Sequence, residues 1–219
     1  MIPLKDNIPS RRFPFVNIIL IAVNFLVFFY ELSLGDHLEA FIYSFSVIPE
    51  HLHKNPYALT NIGTLFSAQF LHGGWMHVIG NMLFLYIFGD NVEDRLGHTR
   101  YLLFYLACGV ISFLAQVFFS QNSPLPLIGA SGAIAGVLGA YIVLYPYAKI
   151  LTLIPLFIFI QFIEVPAIVF LGIWFLLQFW MANASLAAAT VGGVAFWAHV
   201  GGFIGGALFI SIYKSIKGR

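Results

Sequence analysis

Between Tyr101 and Ala148 the chain runs for 48 residues without a charged side chain, and between Val165 and Tyr213 it does so for 49. Roughly 20 apolar residues cross a bilayer as a helix. Each run is therefore too long for one span, and each breaks once. The first breaks at Gln121-Asn122-Ser123-Pro124-Leu125-Pro126, giving a third and a fourth span; the second breaks at the polar and small stretch Asn183–Gly193, giving a fifth and a sixth. The eighteen charge-free residues Phe13 to Tyr30 supply a first span, and a second runs from Gly73-Gly74-Trp75 to Gly89-Asp90.

The rest of the chain fits a membrane bundle. Hydrophobic residues make up 60% and charged residues 9%, with a mean hydropathy of +0.92, whereas a soluble domain carries about 25% charged residues. The expected fold is an all-α membrane protein of six transmembrane helices. Residues 1–12 form an N-terminal tail, 13–214 the membrane domain and 215–219 a C-terminal tail. Glu31 to Asn61, with its acids, Lys54 and three histidines among aromatics, reads as a long first loop of short interfacial helices. Ile150 to Ile163 is apolar but only fourteen residues long, with Pro155 inside, which suits an interfacial or re-entrant segment better than a span. Ser10-Arg11-Arg12-Phe13 faintly resembles a twin-arginine signal, but basic residues flanking a first span explain it better. The net charge of +1 gives no sign of a nucleic-acid partner, and the lone Cys108 signals neither a disulfide, a structural zinc site nor a thiol catalyst.

Six spans place both termini on one side. That side receives Lys5, Arg11, Arg12, Arg95, Arg100, Lys149, Lys214, Lys217 and Arg219, and the other only Lys54. Basic residues mark the cytoplasmic side of a membrane protein, so both termini are expected to be cytoplasmic. A seventh span through Ile150–Ile163 would spoil the asymmetry.

In this topology spans two, four and six run in the same direction. His77 lies three residues after Gly74, Ser131 five after Pro126 and His199 six after Gly193. At 1.5 Å per residue all three sit roughly 5–9 Å into their helices from the same face. Ser131, Ala135 and Gly139 form a small-residue stripe, Gly132 and Gly136 a second, and His199, Gly202 and Gly206 share a face of span six. Such stripes let helix backbones approach closely in lipid, so spans four and six are expected to pack with Ser131 and His199 near the top of the contact.

A serine hydroxyl needs a base to become a nucleophile, and histidine is the usual one. Ser131 near a helix N-terminus has free backbone N–H groups beside it. His77 and Asn81, four apart, project from one face of span two and both can donate to an oxyanion. The acids lie at the cytoplasmic end or in the external loop, so no triad carboxylate is evident. The expectation is a Ser131–His199 dyad with His77 and Asn81 stabilising the oxyanion. His72 reads as a loop-end packing residue.

These residues fall into recognisable motifs. His72-Gly73-Gly74-Trp75-Met76-His77-Val78-Ile79-Gly80-Asn81, Glu93-Asp94-Arg95-Leu96-Gly97, Gly129-Ala130-Ser131-Gly132 and Ala198-His199-Val200-Gly201-Gly202 with Gly206 together resemble the rhomboid family of intramembrane serine proteases. The resemblance implies a six-helix core, the Ser131–His199 dyad, and an oxyanion site of His77, Asn81 and the Ser131 backbone. It also implies cleavage of transmembrane protein substrates in or near their spans, within the lipid bilayer of the plasma or inner membrane, with no metal or cofactor. The site would open to the extracytoplasmic side. Two positions depart from the pattern. Gly63-Thr64 stands where the family often carries Trp-Arg, and Ala135 where some members stack a tyrosine on the histidine. Phe196, Trp197 and Phe203 are then the candidates for orienting the His199 ring.

Three rival readings exist. A catalytically silent rhomboid-like binding or scaffold protein typically lacks the serine or the histidine. A metal site at His72, His77 and His199 has no H-E-x-x-H and no nearby carboxylate. A channel or transporter usually carries a charged residue inside a span, and none is seen.

Overall fold

The charge-free runs fold as helices. The computed structural model describes residues 1–156, 159–187 and 194–217. In chain order these are strand Ile2–Asp6 (β1), helix Phe15–Ser33 (α1), three short helices Leu38–Phe45 (α2), Pro49–Lys54 (α3) and Leu59–Ser67 (α4), long helices Trp75–Leu96 (α5) and His98–Phe119 (α6), helix Ser131–Leu144 (α7), strands Lys149–Leu156 (β2) and Phe159–Pro166 (β3), and helices Ala167–Ala187 (α8) and Phe196–Lys217 (α9). The all-α bundle predicted from sequence is present as α1 and α5 to α9, and α2 to α4 make up the long first loop. Four of the six, α1, α6, α8 and α9, are long and apolar enough to cross a membrane. Their outward faces carry exposed Leu26, Leu103, Leu176, Trp180 and Leu208, which water would not tolerate in such number but lipid does. α5 carries Asp90, Glu93, Asp94 and Arg95 in its last two turns.

α7 is the exception and the centre. Its 14 residues span about 21 Å, short of the roughly 30 Å hydrocarbon core. Every residue from Gly132 to Tyr141 is buried, as befits a helix packed on all sides. Its contact with α9 is backbone to backbone: a methyl group at Gly202 would run into the Gly132 carbonyl oxygen, and one at Gly206 into that of Gly136. The expected packing of spans four and six is therefore observed, and this register makes the two helices parallel.

Three local features depart from or go beyond the expectations, and only the first contradicts one. Ser131 is not five residues into a helix begun after Pro126; it is the first helical residue. Residues 120–130 form a connecting loop pinned to the first loop by backbone hydrogen bonds: Val47 with Leu127 in both directions, Glu50 N–H to the Ser123 carbonyl, and Gly129 N–H to the Ala68 carbonyl at 2.8 Å. Second, the apolar piece around Ile150–Ile163 is a β-hairpin, Lys149 pairing with Pro166 and Thr152 with Ile163. Third, the expected N-terminal tail contributes a strand to it, Ile2 pairing with Leu153 and Asp6 with Ile150. The hairpin satisfies its backbone by pairing, with Ile150 and Thr152 turned into the core. The expected break at Asn183–Gly193 falls partly outside the described residues: α8 continues through Asn183 to Ala187, and 188–193 are not described.

The end of α5 is tied to the start of α1 by a side-chain cap. Glu93 on α5 is buried and accepts the backbone N–H groups of Val16 and Asn17 at 2.9 and 2.7 Å. α1 has no side-chain cap of its own, so this carboxylate supplies the acceptor that its orphan donors need. His98 also bonds Glu93.

Candidate active site

Three parallel helices begin beside one another, and each brings one of the expected site residues. His77 is the third residue of α5, Ser131 the first of α7 and His199 the fourth of α9. The parallel course of α5 and α7 is visible in His77 against Gly129 at one end and Phe88 against Tyr141, ring centroids 4.9 Å apart, at the other.

Ser131 Oγ lies 2.8 Å from His199 Nε2. The pair expected to form a nucleophile and base is thus within direct hydrogen-bond reach. Ser131 follows Ala130, a helix cap with no side-chain hydrogen bond. The first-turn N–H groups of α7 therefore have no side chain competing for them.

His77 is fixed over Gly129. Its Nδ1 accepts the Gly73 N–H at 3.4 Å, which leaves the proton on Nε2. Gly129 has φ +123°, and a Cβ built there would lie 2.8 Å from His77 Nε2 and 3.7 Å from Ser131 Oγ. Only glycine suits both that backbone and that space. The volume left without a side chain is bounded by the serine oxygen and by a ring N–H donor.

Asn81 lies one turn beyond His77 and is 9% exposed. Its Nδ2 donates to His72 Nε2 at 3.0 Å. His72 is itself held, Nδ1–H to the Phe70 carbonyl and backbone N–H to the Glu31 carboxylate. His72 is therefore more than loop-end packing: it orients the Asn81 amide. The sequence carried the signal in the spacing of His72, His77 and Asn81, but a histidine just outside a span has no fixed direction until the loop is folded. Burial, with His77 as a second cause, holds His72 down at about 4, so it is neutral near pH 7 and able to accept.

The other side of His199 holds a residue not expected from the sequence. His199 Nδ1 lies 2.7 Å from Oε1 of Gln178 on α8. Trp174 and Phe196 flank the ring with centroids 5.9 and 6.3 Å away. Of the three aromatics considered for orienting it, Phe196 does touch it, and Phe203 stacks instead on Phe175 and Trp174. Gln178 is the one polar side chain, Trp174 aside, between Pro166 and Trp180. That isolation in an apolar span was the available signal.

Ser131, His199, His77 and Asn81 face one cavity of about 600 Å³, also lined by Met76, Gly80 and Phe84 of α5 and by Trp174 and Gln178 of α8. It therefore has α5 on one side and α8 on the other, and its lining is mainly apolar except where Ser131, His199, His77, Asn81 and Gln178 reach it. Among the described residues no three histidine, cysteine or carboxylate side chains are arranged to hold a metal ion.

Comparison with known proteins gives the family. The Rhomboid domain family matches residues 60–215. The chain is similar to "Rhomboid protein 1, mitochondrial" of Saccharomyces cerevisiae, 32% identical over 163 residues, covering 72% of this chain and 43% of that protein. It is similar to "Presenilin-associated rhomboid-like protein A, mitochondrial" of Danio rerio, 32% identical over 163 residues, covering 73% of this chain and 39% of that one. "Rhomboid protease GluP" of Bacillus subtilis is 45% identical over 76 residues, 35% of this chain and 14% of the relative. The chain thus spans less than half the length of these relatives. A family match over most of the chain, joined to the apolar helices and their shared cavity, makes this protein a member of the rhomboid family of membrane proteins.

Proposed function

We propose that the protein is an intramembrane serine endopeptidase that hydrolyses peptide bonds in or near the spans of other membrane proteins. The observation that carries this reading is the 2.8 Å contact of Ser131 Oγ with His199 Nε2 at the mouth of a helix-lined cavity. His199 Nε2 takes the serine proton as Oγ attacks the scissile carbonyl. The carbonyl oxygen becomes an oxyanion, accepting from His77 Nε2–H, Asn81 Nδ2–H and the Ser131 backbone N–H. Protonated His199 then gives its proton to the leaving amine, and water, activated by the same nitrogen, releases the acyl group.

The cavity supports a transmembrane substrate class. It is lined by α5 and α8 as well as by Ser131, so an extended segment entering from lipid between those helices would reach Ser131 without first crossing to water. α7 places Ser131 about 21 Å from its far end, where Tyr141 meets Asp6 and Tyr145 lies near Asn91. With that end at one membrane face, the serine sits roughly 10 Å below the other. Charge asymmetry supports both termini being cytoplasmic in a cell membrane, with the cavity opening outward. Labelling Asn55→Cys and Ser215→Cys variants with an impermeant maleimide tests this: only Asn55→Cys should react from outside.

The activity is tested by incubating purified protein with a transmembrane substrate, with and without a serine-directed fluorophosphonate and with and without a chelator. Ser131→Ala and His199→Ala should each abolish cleavage in folded, inserted protein, the fluorophosphonate should label Ser131, and the chelator should do nothing. Substantial cleavage by either folded variant would overturn the assignment.

A further inference from the structure

Neutral imidazole has two ring nitrogens and one proton. For His199 Nε2 to accept from Ser131 that nitrogen must be bare, and the proton must sit on Nδ1. In serine triads a buried carboxylate at Nδ1 enforces this tautomer. Here the atom at Nδ1 is Gln178 Oε1, 2.7 Å away, a carbonyl oxygen that accepts and cannot donate.

The side chain is placed for this contact by its helix. Trp174, Phe175, Gln178 and Phe179 lie on one face of α8, and that face packs on α9: Trp174 by His199, Phe175 at 4.7 Å from Phe203, Phe179 edge-on to Trp197 at 6.0 Å. The amide thus sits inside an aromatic frame with His199 as a direct hydrogen-bond partner. Reversing the amide would aim N–H at Nδ1, leave the proton on Nε2 and make His199 a donor toward Ser131, unable to act as its base.

We propose that Gln178 is the positioning residue of this site: its Oε1 holds His199 in the Nδ1–H tautomer, so that Ser131, His199 and Gln178 form a relay in which a neutral amide stands in the place of the triad carboxylate. The proposal rests on the serine-protease reading for its catalytic meaning, but tautomer and turnover are measured separately.

The experiment is nitrogen NMR on protein labelled with ¹⁵N-histidine in a lipid nanodisc, with the His199 signals assigned by their loss in His199→Ala. Wild type should show Nδ1 protonated and Nε2 bare. Gln178→Met, which keeps the length and loses the acceptor, should shift His199 toward the Nε2–H form. It should also lower kcat by roughly 10- to 100-fold with little change in KM, less than the 10⁴-fold loss from a trapped wrong tautomer in a serine triad. Gln178→Glu, which retains an acceptor, should restore the Nδ1–H form. A wild-type spectrum with Nε2 protonated would overturn the proposal without recourse to any variant. So would a Gln178→Met protein with unchanged tautomer and kcat. A wild type inactive on every substrate, yet with a Gln178-dependent Nδ1–H tautomer, would remove the protease reading and leave this one standing.

Discussion

His72 Nε2 accepts from the Asn81 amide at 3.0 Å while His72 Nδ1 is occupied by the Phe70 carbonyl. One histidine therefore ties the residue offered as an oxyanion donor to the chain before α5. A buried polar group deprived of its partner costs about 1–3 kcal/mol. His72→Leu should lose about that much stability and lower kcat more than KM, because Asn81 is no longer aimed. Unchanged melting and kcat would show that the contact is incidental.

The same histidine makes stability pH-dependent in a defined window. Burial holds His72 at about 4 in the folded protein against an ordinary 6.5. Above 6.5 it is neutral in both states and contributes no slope. As pH falls from 6.5 to about 4 the unfolded chain takes up the proton and the folded one does not, so stability is lost across that interval and levels off below it. Denaturation followed from pH 7 to 4 should fall less steeply in His72→Gln than in wild type. Equal slopes would assign the effect to other groups.

Asn81→Ala is expected to lower kcat by about 10²-fold, the usual loss for one oxyanion donor, with a smaller change in KM. His77→Ala should behave alike. If both raised KM and spared kcat, these side chains would be binding substrate instead.

Gly206 lies where a methyl group would collide with the Gly136 carbonyl. Gly206→Val must push α9 away from α7, and with it His199 from Ser131. Melting temperature and fluorophosphonate labelling should fall together, while Gly172→Ala, at a position with no neighbour within 4 Å, should change neither. Full labelling of a folded Gly206→Val protein would argue against the helix contact as the frame of the pair.

A substrate helix has its backbone carbonyls hydrogen-bonded and must unwind before Ser131 can attack. Glycine or proline in the outer third of the substrate span should lower that barrier, and the crowded small residues around Ser131 favour a small residue before the cut. Moving a Gly-Pro pair stepwise from the outer to the inner leaflet, with products sized by mass spectrometry, should confine efficient cleavage to the outer positions. Efficient cutting near the cytoplasmic end, or indifference to leucine in place of the pair, would contradict it.

What the sequence made legible was whatever lies on regular spacing. Helices α1, α5, α6, α8 and α9, the glycine contact of α7 with α9 and the convergence of His77, Ser131 and His199 all follow from long charge-free runs and helical periods. The start of α7 was not legible, because Leu127, Ile128, Gly129 and Ala130 are as apolar or small as the helix after them and no capping side chain marks the boundary. The β-hairpin was hidden because a short apolar run has no period that separates strand from helix. Its third strand comes from nearly 150 residues away. Gln178 belongs to no motif, and only the packing of α8 on α9 gives it a partner.

That third strand has a consequence for biosynthesis. β1 leaves the ribosome well before its partner residues Ile150 to Leu153, which follow only after α1, α5, α6 and α7 have been made. At ordinary elongation rates the interval is on the order of ten seconds. During it, Ile2 to Asp6 has no strand to pair with and must stay clear of the translocating chain. Closure of the sheet is then a late event that staples Ile2–Asp6 to the middle of an already inserted bundle.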